Sequence, residues 1–231
     1  MKTASSIAPT LLCLADTKLV LANICIKTVF NGRSIGDFAT LLAVAGTSLG
    51  TTRSIYRWLE GQGESYIRLE RGRQADEIAS SDLLDAPPAS WVDLMATIFI
   101  AEAATRAIAK SLKGRADAYL SNQLRMLDQD SAFHMTYALG WLKVTSEQDR
   151  EGLRSSMRDR IPLAMRWVHG CEEGAVDAFA ASCQPLWDLS GHPFPEAAPR
   201  GADWKSTLMR AKSLPDRLFE IVRFKDAELL A

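Results

Sequence analysis

Between positions 35 and 59, Ile35, Phe38, Leu42, Ala45, Leu49, Thr52, Tyr56 and Leu59 recur in steps that alternate between three and four. An α-helix places such residues along one line, and a line this long needs neighbouring helices to cover it. NGRS at 31–34 marks the turn before this helix, and Ser34 with Asp37 three residues on gives a variant of the capping box. Gly46 and Gly50 lower helix propensity but permit close approach by another helix.

The same period recurs elsewhere, and strand signals are scarce. A first helix is expected over about 10–30, with Asp16, Asn23 and Lys27 on one narrow polar face and Lys18 nearly opposite it. The polar stretch 61–90 holds one short helical candidate (64–71), stops at Ala86-Pro87-Pro88, and reads as a crossover. A third long helix at about 90–113 buries Trp91, Leu94, Ile98, Ala101, Thr105, Ile108 and Leu112. A fourth at about 116–143 has the seam Leu120, Leu124, Leu127, Ser131, His134, Ala138 and Trp141. A fifth runs to about 169 with a bend at Pro162. A shorter piece near 173–182 and a last helix at about 202–228, interrupted at Pro215, complete the chain. The expectation is one all-α domain over 1–231. A ferritin-like four-helix bundle (about 10–145) forms its core, with C-terminal helices (about 146–231) packed on it.

With 27 basic and 28 acidic residues the chain lacks the concentrated positive charge that nucleic acid or an anionic membrane surface attracts. Residues 7–30 are apolar, but Asp16, Lys18, Asn23 and Lys27 interrupt them. A bilayer span would lose roughly 2.5–3.5 kcal/mol for each charge at its centre, so a buried bundle helix is the expectation. Cys13, Cys25, Cys171 and Cys183 form no C-x-x-C pair, which suits a reducing, cytoplasmic setting.

One constellation carries chemistry. Glu102 on the third helix and Asp130 and His134 on the fourth come within one to two turns of the same level in an antiparallel hairpin. A carboxylate facing a carboxylate and a histidine is half of a di-metal site; the full site wants a Glu from each of two helices and a Glu-x-x-His from each of the other two. The first helix has no Glu, the second no histidine, and position 131 is Ser. Glu102, Asp130 and His134 therefore read as a vestigial metal-site region, with no catalytic residue and no resident cofactor. Glu102 has a simple alternative partner in Arg106, and His134 in an ordinary core environment. Lys18 either snorkels to the bundle end or supplies the positive charge that a buried carboxylate needs. His169, Cys171, Cys183 and His192 match no standard zinc spacing, and neither a nucleophile elbow nor a phosphate-cradling loop is present.

The order and spacing of LADTKLVLANI (14–24), SLGTTRSIYRWLE (48–60), the Trp91–Leu112 helix, DSAFHMTYALGWLKVTSEQ (130–148) and Asp188-Leu189-Ser190-Gly191-His192-Pro193 resemble the phenylacetic acid catabolic protein family. The likeness covers about 11–215 and is nearest to the structural C subunit of bacterial phenylacetyl-CoA epoxidase; Thr47 stands where relatives usually carry an acid. The resemblance implies a ferritin-like, metal-free subunit that supports a di-iron catalytic subunit, or pairs with itself, in aromatic catabolism. Two other readings of the residues remain: a metal-dependent oxygenase or oxidase with a reduced site, and a small-molecule-binding bundle using the gap at Gly46, Thr47 and Gly50.

Overall fold

The structure, a computed structural model, describes residues 4–171, 174–191 and 212–222; among these every regular element is helical. Its α-helices are α1 (Ala4–Thr28), α2 (Ile35–Glu60), α3 (Tyr66–Arg71), α4 (Trp91–Leu112), α5 (Ala118–Thr145), α6 (Arg150–Cys171), α7 (Ala175–Ser190) and α8 (Asp216–Val222). Of the last helix expected at about 202–228, residues 212–222 are described; 212–215 are not helical, and the helix there is Asp216–Val222, which begins directly after Pro215.

Local chemistry sets the helix starts. Ser34 accepts from Asp37 N at 3.1 Å, Ser90 from Asp93 N at 3.1 Å, and Asp117 from Leu120 N at 2.8 Å. Each satisfies a backbone donor that the first turn leaves without an intrahelical partner. Helix α7 extends beyond the expected 182, because Phe179, Cys183, Leu186, Trp187 and Ser190 continue one buried stripe. It ends at Gly191 with φ 69°, the left-handed cap that glycine adopts without a Cβ clash.

The four long helices pair as hairpins, α1 with α2 and α4 with α5; α2 also lies beside α5, and α1 meets α4. Helices α6 and α7 cover the other side of α4, which is buried almost throughout. That central helix carries Glu102 at mid-length, so any group reaching Glu102 has left solvent behind.

Two expectations are corrected. Along α2 the second half of the seam (Ala45, Thr52, Tyr56, Leu59) is buried, but in the first half Asp37, Leu41, Val44 and Ser48 face inward. Ile35 is 89% exposed, and Phe38 and Leu42 are also outside. The cause is Asp37: its carboxylate accepts from Tyr137 (2.8 Å) and Trp141 (2.7 Å) of α5 and thereby fixes the rotation of the helix start. Asp16, expected on a polar face, is fully buried. Arg73 grips both of its oxygens at 2.7 Å, Tyr56 donates at 2.6 Å and Ala79 N at 2.6 Å. Together with Ser81 N to Thr17 Oγ1 at 2.8 Å, this set pins the 61–90 crossover onto α1. Burial of Tyr56 and the adjoining Asp16 charge raise its phenol well above the ordinary range.

Candidate functional site

At the middle of the bundle one carboxylate gathers three donors. Glu102 Oε1 accepts from Lys18 Nζ at 2.6 Å and from His134 Nδ1 at 2.8 Å, while Oε2 accepts from Ser131 Oγ at 2.6 Å. Glu102 and Ser131 have no exposed surface, and Lys18 and His134 have 1% each. The far ring nitrogen, His134 Nε2, lies 2.9 Å from Thr47 Oγ1. Each of the four long helices therefore contributes: α1 Lys18, α2 Thr47, α4 Glu102, and α5 Ser131 and His134.

Burial raises the proton affinity of the Glu102 carboxyl, but the Lys18 ammonium and the His134 ring outweigh it and hold the group well below the usual carboxylate range. Cys25 faces the same region; burial, reinforced by the Glu102 charge, pushes its thiol up to about 12. With Glu102 ionised, Nδ1 carries a proton. In the neutral ring Nε2 then accepts from Thr47. In the imidazolium it donates, and the threonine hydroxyl turns to Ala43 O, 3.0 Å away.

The residues singled out from the sequence fall unequally here. Lys18, Glu102 and His134 converge. Asp130 is half-buried and makes none of these bonds; Ser131, one residue on, takes the place beside Glu102. Arg106 pairs with Asp128 at 2.8 Å rather than with Glu102. Thr47 as a partner of His134 was not foreseen, although its position three turns into α2 puts it at the level of the cluster. Of the four residues considered for zinc, Cys183 is fully buried in α7, and His192 lies outside the described residues. Among the described residues, no three or more His, Cys, Asp and Glu side chains are placed to hold a metal ion.

The cluster does not suit a di-metal centre, of which the sequence pattern offers only half the ligand set. A hard cation needs several anionic oxygens around it. Here a single carboxylate already accepts three donors, one of them the Lys18 ammonium.

A second feature lies on the outside. Helices α2 and α5 run side by side, linked by Trp58 to Asp117 (2.8 Å), Tyr119 to Ser54 O (3.5 Å), His134 to Thr47, and Tyr137 and Trp141 to Asp37. Tyr119, Met126, Phe133 and Val144 are exposed and, at seven- or eleven-residue spacing, form one line along α5. On α2 the outward residues Ala39, Ala43, Gly46 and Gly50 are small, and a Cβ on either glycine would meet nothing within 4 Å. Phe30, Ile35, Phe38 and Leu42 rise on the far side. The glycine gap thus opens to solvent as the floor of a shallow apolar strip. A separate open cleft of about 520 Å³, between the crossover, the start of α4 and α6, includes Asp82, Asp93, Ser156 and Arg160 in its lining and shares no residue with the cluster.

No protein-family model matches this sequence, and no characterised protein matches it.

Proposed function

We propose that this chain is a non-catalytic subunit with a ferritin-like bundle that docks through its α2–α5 face onto a helical oxygenase subunit carrying its own di-iron centre. The observation that carries this reading is the apolar strip. A row of small residues is flanked by large exposed side chains from both helices, Ile35 of α2 being 89% and Phe133 of α5 58% exposed. Contiguous apolar surface of this kind marks an interaction site rather than a comfortable solvent face, and a small-residue floor admits another helix closely. The core cluster agrees with it, because Glu102 is fully buried and already accepts three hydrogen bonds, one of them from the Lys18 ammonium. The resemblance in helix order and motif spacing supplies the partner's class, a di-iron subunit of aromatic ring oxidation.

The test is co-expression with di-iron subunits of the phenylacetyl-CoA epoxidase type, followed by sedimentation. The expected result is a co-sedimenting heteromer that Phe133→Glu or Leu42→Lys disrupts while far-ultraviolet circular dichroism stays unchanged. A chain that remains monomeric on dilution beside every such subunit refutes the reading. A homodimer broken by the same two substitutions would assign the strip to self-association instead.

A further inference from the structure

We propose that the Lys18 ammonium is a tethered surrogate for a metal ion, so that the centre of this bundle is a cation site whose occupant belongs to the chain. Four core helices converge on one point, as they do in a metal-binding bundle, but the polarity is inverted. A metal site surrounds a cation with lone pairs. Here Glu102 is a central anion surrounded by the proton donors of Lys18, Ser131 and His134. The inversion uses the positions that a ligand set would use. Ser131 and His134 stand three residues apart on one face of α5 and both reach Glu102; Lys18 reaches it from α1.

The placement has a consequence for ion selectivity. An ammonium carried on a buried stem cannot be chelated or exchanged, and it gives the bundle its internal counter-charge whatever metals surround it. The site thereby rejects divalent cations instead of merely lacking ligands for them. This goes beyond docking and is independent of it, since a chain without any partner would have the same core.

Two measurements decide the matter. Lys18→Met keeps an unbranched stem and removes the charge. The groups that then face Glu102 are His134 and Ser131 from α5, Thr47 from α2 behind the ring, and the neutral Cys25 thiol from α1. Without the ammonium, burial outweighs the remaining His134 and Ser131 donors and the carboxyl takes up a proton in the folded state, so its folded-state affinity exceeds the unfolded one. Stability is then present at low pH and lost as pH rises. The expected result is a Tm roughly 10 °C below wild type at pH 8, with the gap closing towards pH 5. Equal Tm values at both pH values overturn the proposal.

Lys18→Glu combined with Ser131→Asp restores the polarity of a metal site at nearly constant volume. Titrated with Co²⁺, the double variant is expected to bind about one ion per chain with a visible d–d absorption and a Tm that rises with Co²⁺, while wild type shows neither change. A folded double variant that takes up no Co²⁺, or a wild-type chain that binds it stoichiometrically, overturns the proposal. Should the double variant fail to fold, the Lys18→Met comparison still decides. Neither readout depends on a partner subunit, so failure here leaves the docking reading intact, and the reverse also holds.

Discussion

His134 Nε2 lies 2.9 Å from Thr47 Oγ1, which makes this threonine the only α2 side chain bonded to the central cluster among the described residues. The bond crosses from one helical hairpin to the other beneath the exposed strip. A local change on the outer face of α2 is therefore felt at a fully buried imidazole.

Thr47→Val keeps the branched shape and removes the hydroxyl. It leaves His134 Nε2 buried without a partner, at a cost of about 1–3 kcal/mol. Urea unfolding should show a lower midpoint with an unchanged slope, and the ring ¹⁵N shifts of His134 should move.

Acid should weaken the fold through its paired carboxylates. Glu102, Asp37 and Asp93 are all held below their ordinary range, burial opposing and bonded donors prevailing. Each contributes stability that is present above its unfolded-state value, near 4, and is lost as pH falls towards its folded one. Urea midpoints should stay level from pH 7 to about pH 5 and fall steeply below about pH 4. A midpoint that rises on acidification would contradict these pairings.

Arg73→Leu should release the crossover. Arg73 is 7% exposed, and its guanidinium bonds Asp16, Tyr56 and the carbonyls of Leu69 and Glu77. Removal leaves Asp16 buried and unpaired, which typically costs about 3–5 kcal/mol. Limited proteolysis should then cut within 61–80, and amide exchange there should accelerate more than in α4.

Thiol labelling should follow burial. Cys25 and Cys183 are fully enclosed with thiols pushed up by that burial, and Cys13 is also covered, whereas Cys171 is half-buried. A disulfide reagent at pH 8 should modify Cys171 in the native chain, and the other three only when urea unfolds it.

The helices were legible because their burial follows the 3.6-residue period. The α5 seam of Leu120, Leu124, Leu127, Ser131, His134 and Ala138 is buried as the spacing predicts. The first half of α2 was not, because its inward position is an aspartate whose two partners lie a hundred residues further on. The same limit applies at the centre. Periodicity brought Glu102 and His134 to one level, but charge favoured Asp130 where geometry selects Ser131, a rotation of about 100°. Whether Lys18 snorkels or turns inward depends on a carboxylate on another helix, and nothing local to 10–30 encodes that choice.

The 84 residues that separate Lys18 from Glu102 also set an order of events during synthesis. Residues Ile7–Asn31 are apolar and long enough to span a bilayer, though in the finished fold most of them are covered by protein. At roughly 5–20 residues per second, on the order of ten seconds pass between the emergence of Lys18 and that of its counter-charge. Throughout that interval the Lys18 ammonium is without the carboxylate it meets in the finished core, and for the first 57 residues after its own synthesis Asp16 is likewise without Arg73. The ion pair at the centre of the core can thus close only after α1, α2 and the crossover have all been made.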